Sequence, residues 1–367
     1  MTPLRTLLVS TSYPRSADDW RGRFIYDLVA TLPGEGVSVS LWAPPGPLPG
    51  GVAGAASAEE GAWLDRLAQA GGIANRLRSG SLAAVPGSFG LLRRLWRAYR
   101  REHFDVAHVN WLQNALPLFG TRHPAVIGVL GSDYGLLRLP GMVTLMRAVL
   151  SSRNALIAPN APWMATRLQA LFGDLATVRP LPFGVATEWF AVERLPVREP
   201  APWLAVSRVT QAKIGELFRW GMGLFDARRP LVLLGPMQEQ LTLPEWIDYR
   251  GATYPEALRR EWFPKAAGLI TLSRHDEGRP QIMIEAMAAG LPLVATDLPA
   301  HRDLIENANN GWLVESREAL AAALDDLADP ERNRRAGEAS HAKARREIGD
   351  WQVAAGRFRA AYREVCA

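Results

Sequence analysis

Short apolar runs alternate with longer helical stretches along this chain, and that alternation limits its fold more than any other feature of the sequence. Runs typical of buried strands lie at residues 7–12, 37–43, 105–110, 125–130 and 155–158, and again at 203–206, 231–234, 268–272 and 291–295. Strands separated by helical segments are typical of parallel sheets built from βα units. The alternation therefore predicts two doubly wound α/β domains in tandem, with ligands bound at the carboxyl ends of the strands.

A stretch without apolar periodicity separates the two series of strands. Residues 186–202 contain Pro196, Pro200 and Pro202 together with several charges, which is typical of a linker. The last segment, 351–365, has the apolar spacing of an amphipathic helix. With 367 residues, the chain has room for two domains of roughly 150 residues each. The predicted division is a first domain at 1–188, a second at 200–348 and a C-terminal helix at 349–367.

The composition excludes several classes of protein. With 22% charged and 48% hydrophobic residues, the chain is too apolar for a disordered protein. Its single cysteine, Cys366, excludes a disulfide framework and a cysteine-based zinc site, and it indicates a reducing compartment. No apolar run approaches the roughly 18 residues of a membrane span, and the first apolar run is too short for a signal peptide. We therefore expect a cytoplasmic protein.

Basic residues are concentrated in one stretch of the first half. The formal net charge is +5, and between residues 67 and 101 the chain has seven arginines and no acid. These arginines are Arg76, Arg78, Arg93, Arg94, Arg97, Arg100 and Arg101. The stretch has no motif of a nucleic-acid reader, so we expect no nucleic acid among the partners.

Apolar side chains in the same stretch have helical spacing. The residues that share the apolar face of the predicted helix are Phe89, Leu92, Leu95, Trp96 and Tyr99. A basic amphipathic helix of this kind can lie on an anionic membrane surface. Equally, its apolar side can pack on the core of the domain. The first interpretation makes residues 76–101 a contact with an anionic membrane and the protein peripheral at the inner face of that membrane.

The most informative stretch is residues 273–296, which joins two predicted strands through an apolar helix that starts at Pro280 and ends before Gly290. Glu285 is the one carboxylate inside this helix, and a buried charge needs a donor, either a pair of ligand hydroxyls or a neighbouring arginine. Glu277 precedes the helix, where unpaired N–H groups attract anions. A phosphate at the start of the helix, with one carboxylate beside it and another a turn or more along, fits a nucleotide sugar. Alternatively, Glu277 only satisfies the helix dipole.

These residues resemble the Glu-x7-Glu signature of the retaining glycosyltransferases of family 4. Glu277 and Glu285 have its spacing, and Arg208 and Lys213 have the Arg-x4-Lys spacing of the family's diphosphate clamp. Further stretches that fit the family's pattern are 182–190, 295–303 and 310–314. The resemblance implies an α/β protein of GT-B architecture, in which two Rossmann-like doubly wound domains face each other and a C-terminal helix returns to the first domain.

The resemblance also implies a role for each candidate residue. Arg208 and Lys213 would neutralise the donor diphosphate, whose charge grows as it leaves. Glu285 would accept the ribose hydroxyls, and Glu277 would hold a hydroxyl of the transferred sugar. The residues whose backbone would line the sugar and the phosphate are Gly278, Arg279, Pro280 and Gln281. The family needs no metal ion and no cofactor, and this sequence has no carboxylate triad or histidine cluster that would suggest a metal site.

The activity implied by the resemblance is transfer of a sugar from a nucleoside diphosphate to a saccharide or a lipid-linked acceptor. UDP and GDP are the favoured nucleotides, and the expected setting is synthesis of a cell-surface polysaccharide or glycolipid. The alternative is a catalytically weak nucleotide-sugar-binding subunit that supports an active glycosyltransferase.

The first half resembles the family less closely. Gly22 lies in a loop that is glycine-rich in the family, where it can approach the donor phosphate or the acceptor, or simply start the next helix. His108 is either functional or a buried histidine at a strand end. Asp133 is the polar candidate at the expected cleft, or else a cap of the segment that follows it. Asn110 and Leu130 stand where the family has histidines, and the second departure leaves the catalytic detail open.

Overall fold

The computed structural model describes residues 3–16, 19–69, 84–198, 200–275 and 277–367. The chain forms two compact units, one made of Met1–Gly184 with Trp351–Ala367 and the other of Val185–Asp350. Each unit is built on a parallel sheet, which confirms the predicted α/β class with two Rossmann-like domains.

The sheet of the first unit has seven strands. They are β1 (Leu4–Val9), β2 (Val37–Trp42), β3 (Val52–Gly54), β4 (Val106–Asn110), β5 (Ala125–Val129), β6 (Ala155–Pro159) and β7 (Thr177–Val178). Their order is β3-β2-β1-β4-β5-β6-β7, with all neighbours parallel. The α-helices described before the second unit begins are Arg23–Thr31, Ala58–Gln69, Ala84–Arg101, Met142–Leu150 and Ala165–Phe172. Every residue of β4, β5 and β6 is buried, as expected for central strands of a sheet covered on both faces.

The sheet of the second unit has six strands. They are β8 (Trp203–Val206), β9 (Leu231–Leu234), β10 (Ile247–Gly251), β11 (Gly268–Thr271), β12 (Leu293–Thr296) and β13 (Gly311–Val314). Their order is β10-β9-β8-β11-β12-β13, again with parallel neighbours. The described α-helices of this unit are Gln211–Ile214, Leu217–Gly221, Pro255–Ala257, Gln281–Ala288, Pro299–Arg302, Arg317–Asp326 and Pro330–Lys343. Since β8, β11 and β12 are neighbours, the loops after them meet at one edge of the sheet.

The C-terminal helix, Trp351–Cys366, packs on the sheet of the first unit against β4, β5 and β6. The Tyr362 hydroxyl lies 2.6 Å from Nδ1 of His108, and the Phe358 ring stacks on the imidazole with 4.9 Å between ring centroids. The predicted return of this helix to the first domain is therefore confirmed. His108 is completely buried in this contact, which favours the structural interpretation of the residue.

Acid is expected to destabilise the first unit through His108. Burial lowers the pKa of its imidazole to about 3, from an ordinary value of 6.5. Between these values only the unfolded chain binds the proton, so the free energy of unfolding falls as the pH falls, by several kcal/mol over the whole window. Thermal unfolding from neutral to acidic pH measures this effect. His108→Asn should flatten the pH dependence, whereas an equally steep dependence in both proteins would contradict the prediction.

The stretch predicted to be a linker belongs largely to the second unit. Val185 and Trp189 are buried in the core of that unit. The half-buried Arg194 donates hydrogen bonds to the carbonyl oxygens of Gly290, at 2.9 Å, and Ala266, at 2.7 Å. The segment is anchored by single side chains rather than by a periodic apolar face, and this is why its sequence has the character of a linker.

The arginine-rich stretch is described only in part, because Arg76 and Arg78 lie outside the described residues. The other five arginines lie on the helix Ala84–Arg101, which we call the arginine-rich helix. None of the helices in the described ranges is long and apolar enough to cross a membrane.

The apolar face predicted for the arginine-rich helix is divided in the structure. Leu95 and Tyr99 are buried in the core of the first unit, and the Tyr99 hydroxyl donates to the carbonyl oxygen of Asn114 at 2.8 Å. Phe89 and Trp96, in contrast, are 70% and 48% exposed. The expectation of one shared face was therefore wrong, because Leu91 and Ala98, together with Leu95 and Tyr99, already fill the side that faces the core.

Candidate functional site

The carboxyl ends of β8, β11 and β12 carry most of the predicted donor residues. Arg208 and Lys213 follow β8, Glu277 follows β11, and Glu285 lies on the helix between β11 and β12. This edge is where parallel α/β sheets bind ligands. The structure therefore places the candidates at the position that the alternation of strands and helices predicts.

Lys213 and Glu277 form an ion pair between Nζ and Oε1. Both side chains are largely buried, with 14% and 20% of their surfaces exposed. Lys213 lies on the short helix Gln211–Ile214, which is capped by Thr210, whose Oγ1 accepts a hydrogen bond from the Lys213 amide at 3.2 Å. The structure thus brings together a predicted diphosphate ligand and a predicted sugar ligand, which form one ion pair.

Backbone contacts hold the loops that carry this ion pair. The Arg274 amide donates to the carbonyl oxygen of Ala212 at 2.9 Å, and the Glu216 amide donates to that of Leu272 at 2.9 Å. Between them, Gly215 has a φ of +53°, and a Cβ on it would lie 1.9 Å from the Leu272 oxygen. Only glycine permits this approach, so Gly215 is needed for the loop after β8 to reach the end of β11.

Arg208 lies nearby at the end of β8 and is half-buried. Its Nη1 donates to Oε1 of Gln238 at 3.3 Å, which ties it to the loop after β9. Gly235 allows the two loops to meet: its φ is +138°, and a Cβ there would lie 1.8 Å from the carbonyl oxygen of Ser207. Arg208 therefore has a defined position in the segment between β8 and the helix that carries Lys213.

The helix Gln281–Ala288 confirms the predicted apolar helix, with bounds one residue shorter at each end. Pro280 precedes it in an extended conformation, and Gly290 ends the turn after it with a φ of +75°. Glu285 is half-buried between the fully buried residues Ile284 and Ala286. Of the residues predicted to line the phosphate and sugar, Gly278 and Pro280 are buried, and Arg279 and Gln281 are half-buried.

His301 is a further candidate residue near Lys213 and Glu277, to which the sequence analysis gave no role. It is completely buried, and its Nδ1 lies 2.7 Å from the carbonyl oxygen of Thr296. Because a carbonyl can only accept, Nδ1 carries the hydrogen and Nε2 is an acceptor, which finds no hydrogen-bond partner among the described residues. Burial lowers the pKa of His301, and the charges of Glu277 and Lys213 act on it in opposite directions. The one signal in the sequence that could have identified His301 as a candidate is its position after β12, the strand next to β11.

Asp133 joins two loops of the first unit. Its Oδ2 accepts a hydrogen bond from the Leu112 amide at 2.8 Å, and its Oδ1 accepts one from the Leu130 amide at 2.9 Å. Complete burial raises the pKa of the carboxyl, and these hydrogen bonds oppose the rise. Asp133 makes no side-chain bond to the helical turn that follows it. Both oxygens are therefore engaged in holding together the loops after β4 and β5.

The loop that Asp133 holds contains a strained residue. Trp111 follows β4 with a φ of +66°, a conformation that costs a bulky side chain free energy. Its indole ring contacts the Phe24 ring with 6.4 Å between centroids. The amide of the next residue, Leu112, is one of the two that Asp133 binds. Asp133 thus stabilises an arrangement at the carboxyl edge of the first sheet that the chain would not adopt without support.

Gly22 lies directly before the helix Arg23–Thr31 with a φ of +64°. A Cβ on it would lie 2.6 Å from the Ser12 carbonyl carbon and from the Tyr13 amide nitrogen. The glycine is thus required for close packing within the chain itself. This geometry favours the interpretation in which Gly22 starts the helix.

The described ranges contain no group of three or more histidine, cysteine, aspartate or glutamate side chains that could hold a metal ion.

Comparisons with known proteins bear on both the second unit and the fold. Residues 226–329 match the family described as Glycosyl transferases group 1. No curated protein matches the sequence.

Solved structures resemble the whole chain at low sequence identity. A glycosyltransferase from Rickettsia africae has a TM-score of 0.71 at 14% identity, over 100% of this chain and 99% of its own. Sucrose-phosphate synthase from Thermosynechococcus elongatus has a TM-score of 0.69 at 17% identity, over 98% of both chains. Anabaena HepE in complex with UDP has a TM-score of 0.64 at 14% identity, over 98% of this chain and 99% of its own. Over residues 226–329 the chain resembles the group 1 glycosyltransferases, and the likeness to these solved structures shows that the whole chain has their GT-B fold.

Proposed function

We propose that the protein is a retaining, metal-independent glycosyltransferase that moves a sugar from a nucleoside diphosphate onto a saccharide or a lipid-linked acceptor, in cell-surface polysaccharide or glycolipid synthesis. The observation that carries the proposal is the largely buried Lys213–Glu277 pair at the carboxyl edge of the second sheet. The pair supplies the two groups that a sugar nucleotide needs: a cation for the diphosphate and a carboxylate for the sugar hydroxyls.

Donor binding would exchange the partners of this ion pair. The diphosphate would take Lys213 together with Arg208, and Glu277 would be released to accept a hydrogen bond from the sugar. Cations already in place stabilise the leaving diphosphate most strongly, because they need no reorganisation as its charge grows. The pair therefore keeps both groups in position and neutralised until the donor arrives.

The remaining contacts complete the donor site. Glu285 would accept the ribose hydroxyls, and the segment from Gly278 to Gln281 would face the sugar and phosphate at the start of the helix Gln281–Ala288, where the helix dipole favours an anion. His301 would keep Nε2 available as a neutral acceptor beside Glu277. In the transfer itself, the bond from the sugar to the diphosphate breaks as the acceptor oxygen bonds to the same face. The acceptor proton passes to the departing phosphate oxygen, so no protein base is required.

Donor choice is best tested by thermal unfolding with UDP, GDP, ADP and CMP sugars. A donor at 100 times its dissociation constant should raise the melting temperature of the second unit by about 5–10 °C. We expect UDP sugars to give the largest shift, since HepE of the same fold has been solved with UDP. The absence of a shift with the UDP, GDP and ADP sugars, or a shift with the CMP sugars alone, would overturn the proposed donor class. Adenosine, which has no diphosphate, is the negative control.

A binding subunit remains the second candidate, because Leu130 replaces a histidine of the family and Asp133 is engaged by backbone amides. Hydrolysis of the donor, measured beside its binding, separates the two candidates. A glycosyltransferase slowly hydrolyses its donor without an acceptor, whereas a binding subunit binds the donor without turnover.

A further inference from the structure

The outer side of the arginine-rich helix combines aromatic and basic side chains. Phe89, Arg93, Trp96 and Arg100 follow one another at spacings of four, three and four residues, which places them on one stripe of an α-helix. Arg97 lies beside this stripe and is also exposed. The helix therefore has two regular sides: an apolar side that faces the core, and an opposite side of aromatic and basic residues that points away from the protein.

Phe119 extends this stripe beyond the helix. It is 61% exposed, and its carbonyl oxygen accepts a hydrogen bond from Nη2 of Arg100 at 3.2 Å. The carbonyl of the preceding residue, Leu118, is held from the inside by the buried Arg153 at 2.8 Å. The exposed position of Phe119 is thus maintained by its neighbours. We call this set of side chains the aromatic–arginine face: Phe89, Arg93, Trp96, Arg97, Arg100 and Phe119.

The aromatic–arginine face has no compensating negative charge in the described structure. Arg93 and Arg97 pair with no carboxylate among the described residues, and the Arg100 guanidinium lies over the Trp96 ring at 4.2 Å. Arg94 and Arg101, at the flanks of the same helix, differ because they form ion pairs with glutamates of the first unit. Unpaired cations therefore occur where the exposed aromatic rings are.

We propose that the aromatic–arginine face docks on an anionic lipid surface. Guanidinium groups attract acidic headgroups, and aromatic rings are suited to the boundary between headgroups and acyl chains. The exposed parts of these rings gain no burial when the unit folds, whereas they are buried when they enter that boundary. An anionic lipid surface would bind both the arginines and the aromatic rings of this face. The proposal concerns a surface apart from the donor site and is independent of the proposed function.

Vesicle flotation of the full chain tests the proposal. We expect binding to vesicles of phosphatidylcholine with one-quarter phosphatidylglycerol, weakened by added salt, and no binding to phosphatidylcholine alone. Arg93→Gln with Arg97→Gln should lower vesicle affinity by about 25-fold, roughly fivefold for each arginine near an anionic surface. Phe89→Ser with Trp96→Ser should lower it several-fold at unchanged charge. The matched control is Arg228→Gln with Arg363→Gln, which removes two exposed arginines elsewhere and should leave binding unchanged.

Three results would overturn the proposal. One is equal flotation with both kinds of vesicle, and another is flotation that neither double variant weakens. The third is self-association without vesicle binding, seen by sedimentation and abolished by Phe89→Ser with Trp96→Ser, which would make the face an interface between copies. None of these measurements needs a donor or an acceptor, so their outcome is separate from that of the donor screen. Circular dichroism of each variant confirms that the fold is retained.

Discussion

Replacing Lys213 with alanine is expected to lower kcat by about 10²- to 10³-fold with any donor that the wild-type enzyme uses. The ammonium group would be lost where the departing diphosphate gains charge, and water in its place cannot supply a preorganised cation. The ion pair with Glu277 is lost as well, so the carboxylate no longer has a fixed position. Steady-state kinetics at saturating donor measures kcat directly.

A matched control for this variant is Lys265→Ala. Lys265 belongs to the same unit, and its Nζ lies 4.6 Å from the Trp262 ring centroid on the protein surface. The kcat of the Lys265→Ala variant should remain within twofold of the wild-type value. A double-mutant cycle with Glu277→Gln should show coupling, because the two side chains form one ion pair. Turnover near the wild-type rate in both Lys213→Ala and Glu277→Gln would contradict the assignment of this site.

Replacing Glu285 with alanine is expected to lower the affinity for the nucleoside diphosphate by about 100-fold. Hydrogen bonds to a charged carboxylate contribute roughly 1.5 kcal/mol each at the lower end of their range, so two of them from the ribose hydroxyls contribute about 3 kcal/mol, which corresponds to a factor on the order of 10². Titration calorimetry with the nucleotide alone measures the loss without interference from the sugar. The half-buried position of Glu285 between apolar neighbours means that alanine should be tolerated by the fold.

Two further variants define this effect. Glu285→Gln retains an acceptor oxygen but loses the charge, so its affinity should lie between those of the alanine variant and the wild type. Glu338→Ala removes an exposed carboxylate that pairs with Arg334 on another helix of the same unit and should not change the affinity. An unchanged dissociation constant for Glu285→Ala would show that the ribose is bound by other groups.

The central strands could be predicted from the sequence because each is buried on both sides and therefore has a continuous apolar run. The edge strands could not. In β10 (Ile247–Gly251) only Ile247 is buried, and β3 (Val52–Gly54) has no buried residue. A strand with one free edge and exposed side chains has no pattern that distinguishes it from a loop. The first strand was placed at 7–12 but is Leu4–Val9, since apolar character marks its buried end only.

The elements that carry the candidate site residues were predictable where spacing along the chain determines them, whereas the contacts of these residues with backbone groups were not. The helix that carries Glu285 could be predicted from its Pro280 and Gly290 boundaries. The partners of Asp133 could not, since the Leu112 amide is 21 residues away and carries no side-chain signal. The tautomer of His301 could not be predicted either, because the backbone carbonyl of Thr296 that sets it carries no side-chain signal. On the arginine-rich helix, helical spacing identified apolar positions but could not tell which of them the core would take.

The C-terminal helix has a consequence for the order in which the chain can assemble. The core of the first unit includes Trp351, Phe358 and Tyr362, all of which are synthesised after the whole of the second unit. Until these residues emerge from the ribosome, the C-terminal helix cannot cover His108 and the face of β4 on which it packs. Domains generally fold in the order of their synthesis. We therefore expect the second unit to complete its core before the first unit, whose sheet stays partly uncovered until residues 351–366 have been synthesised.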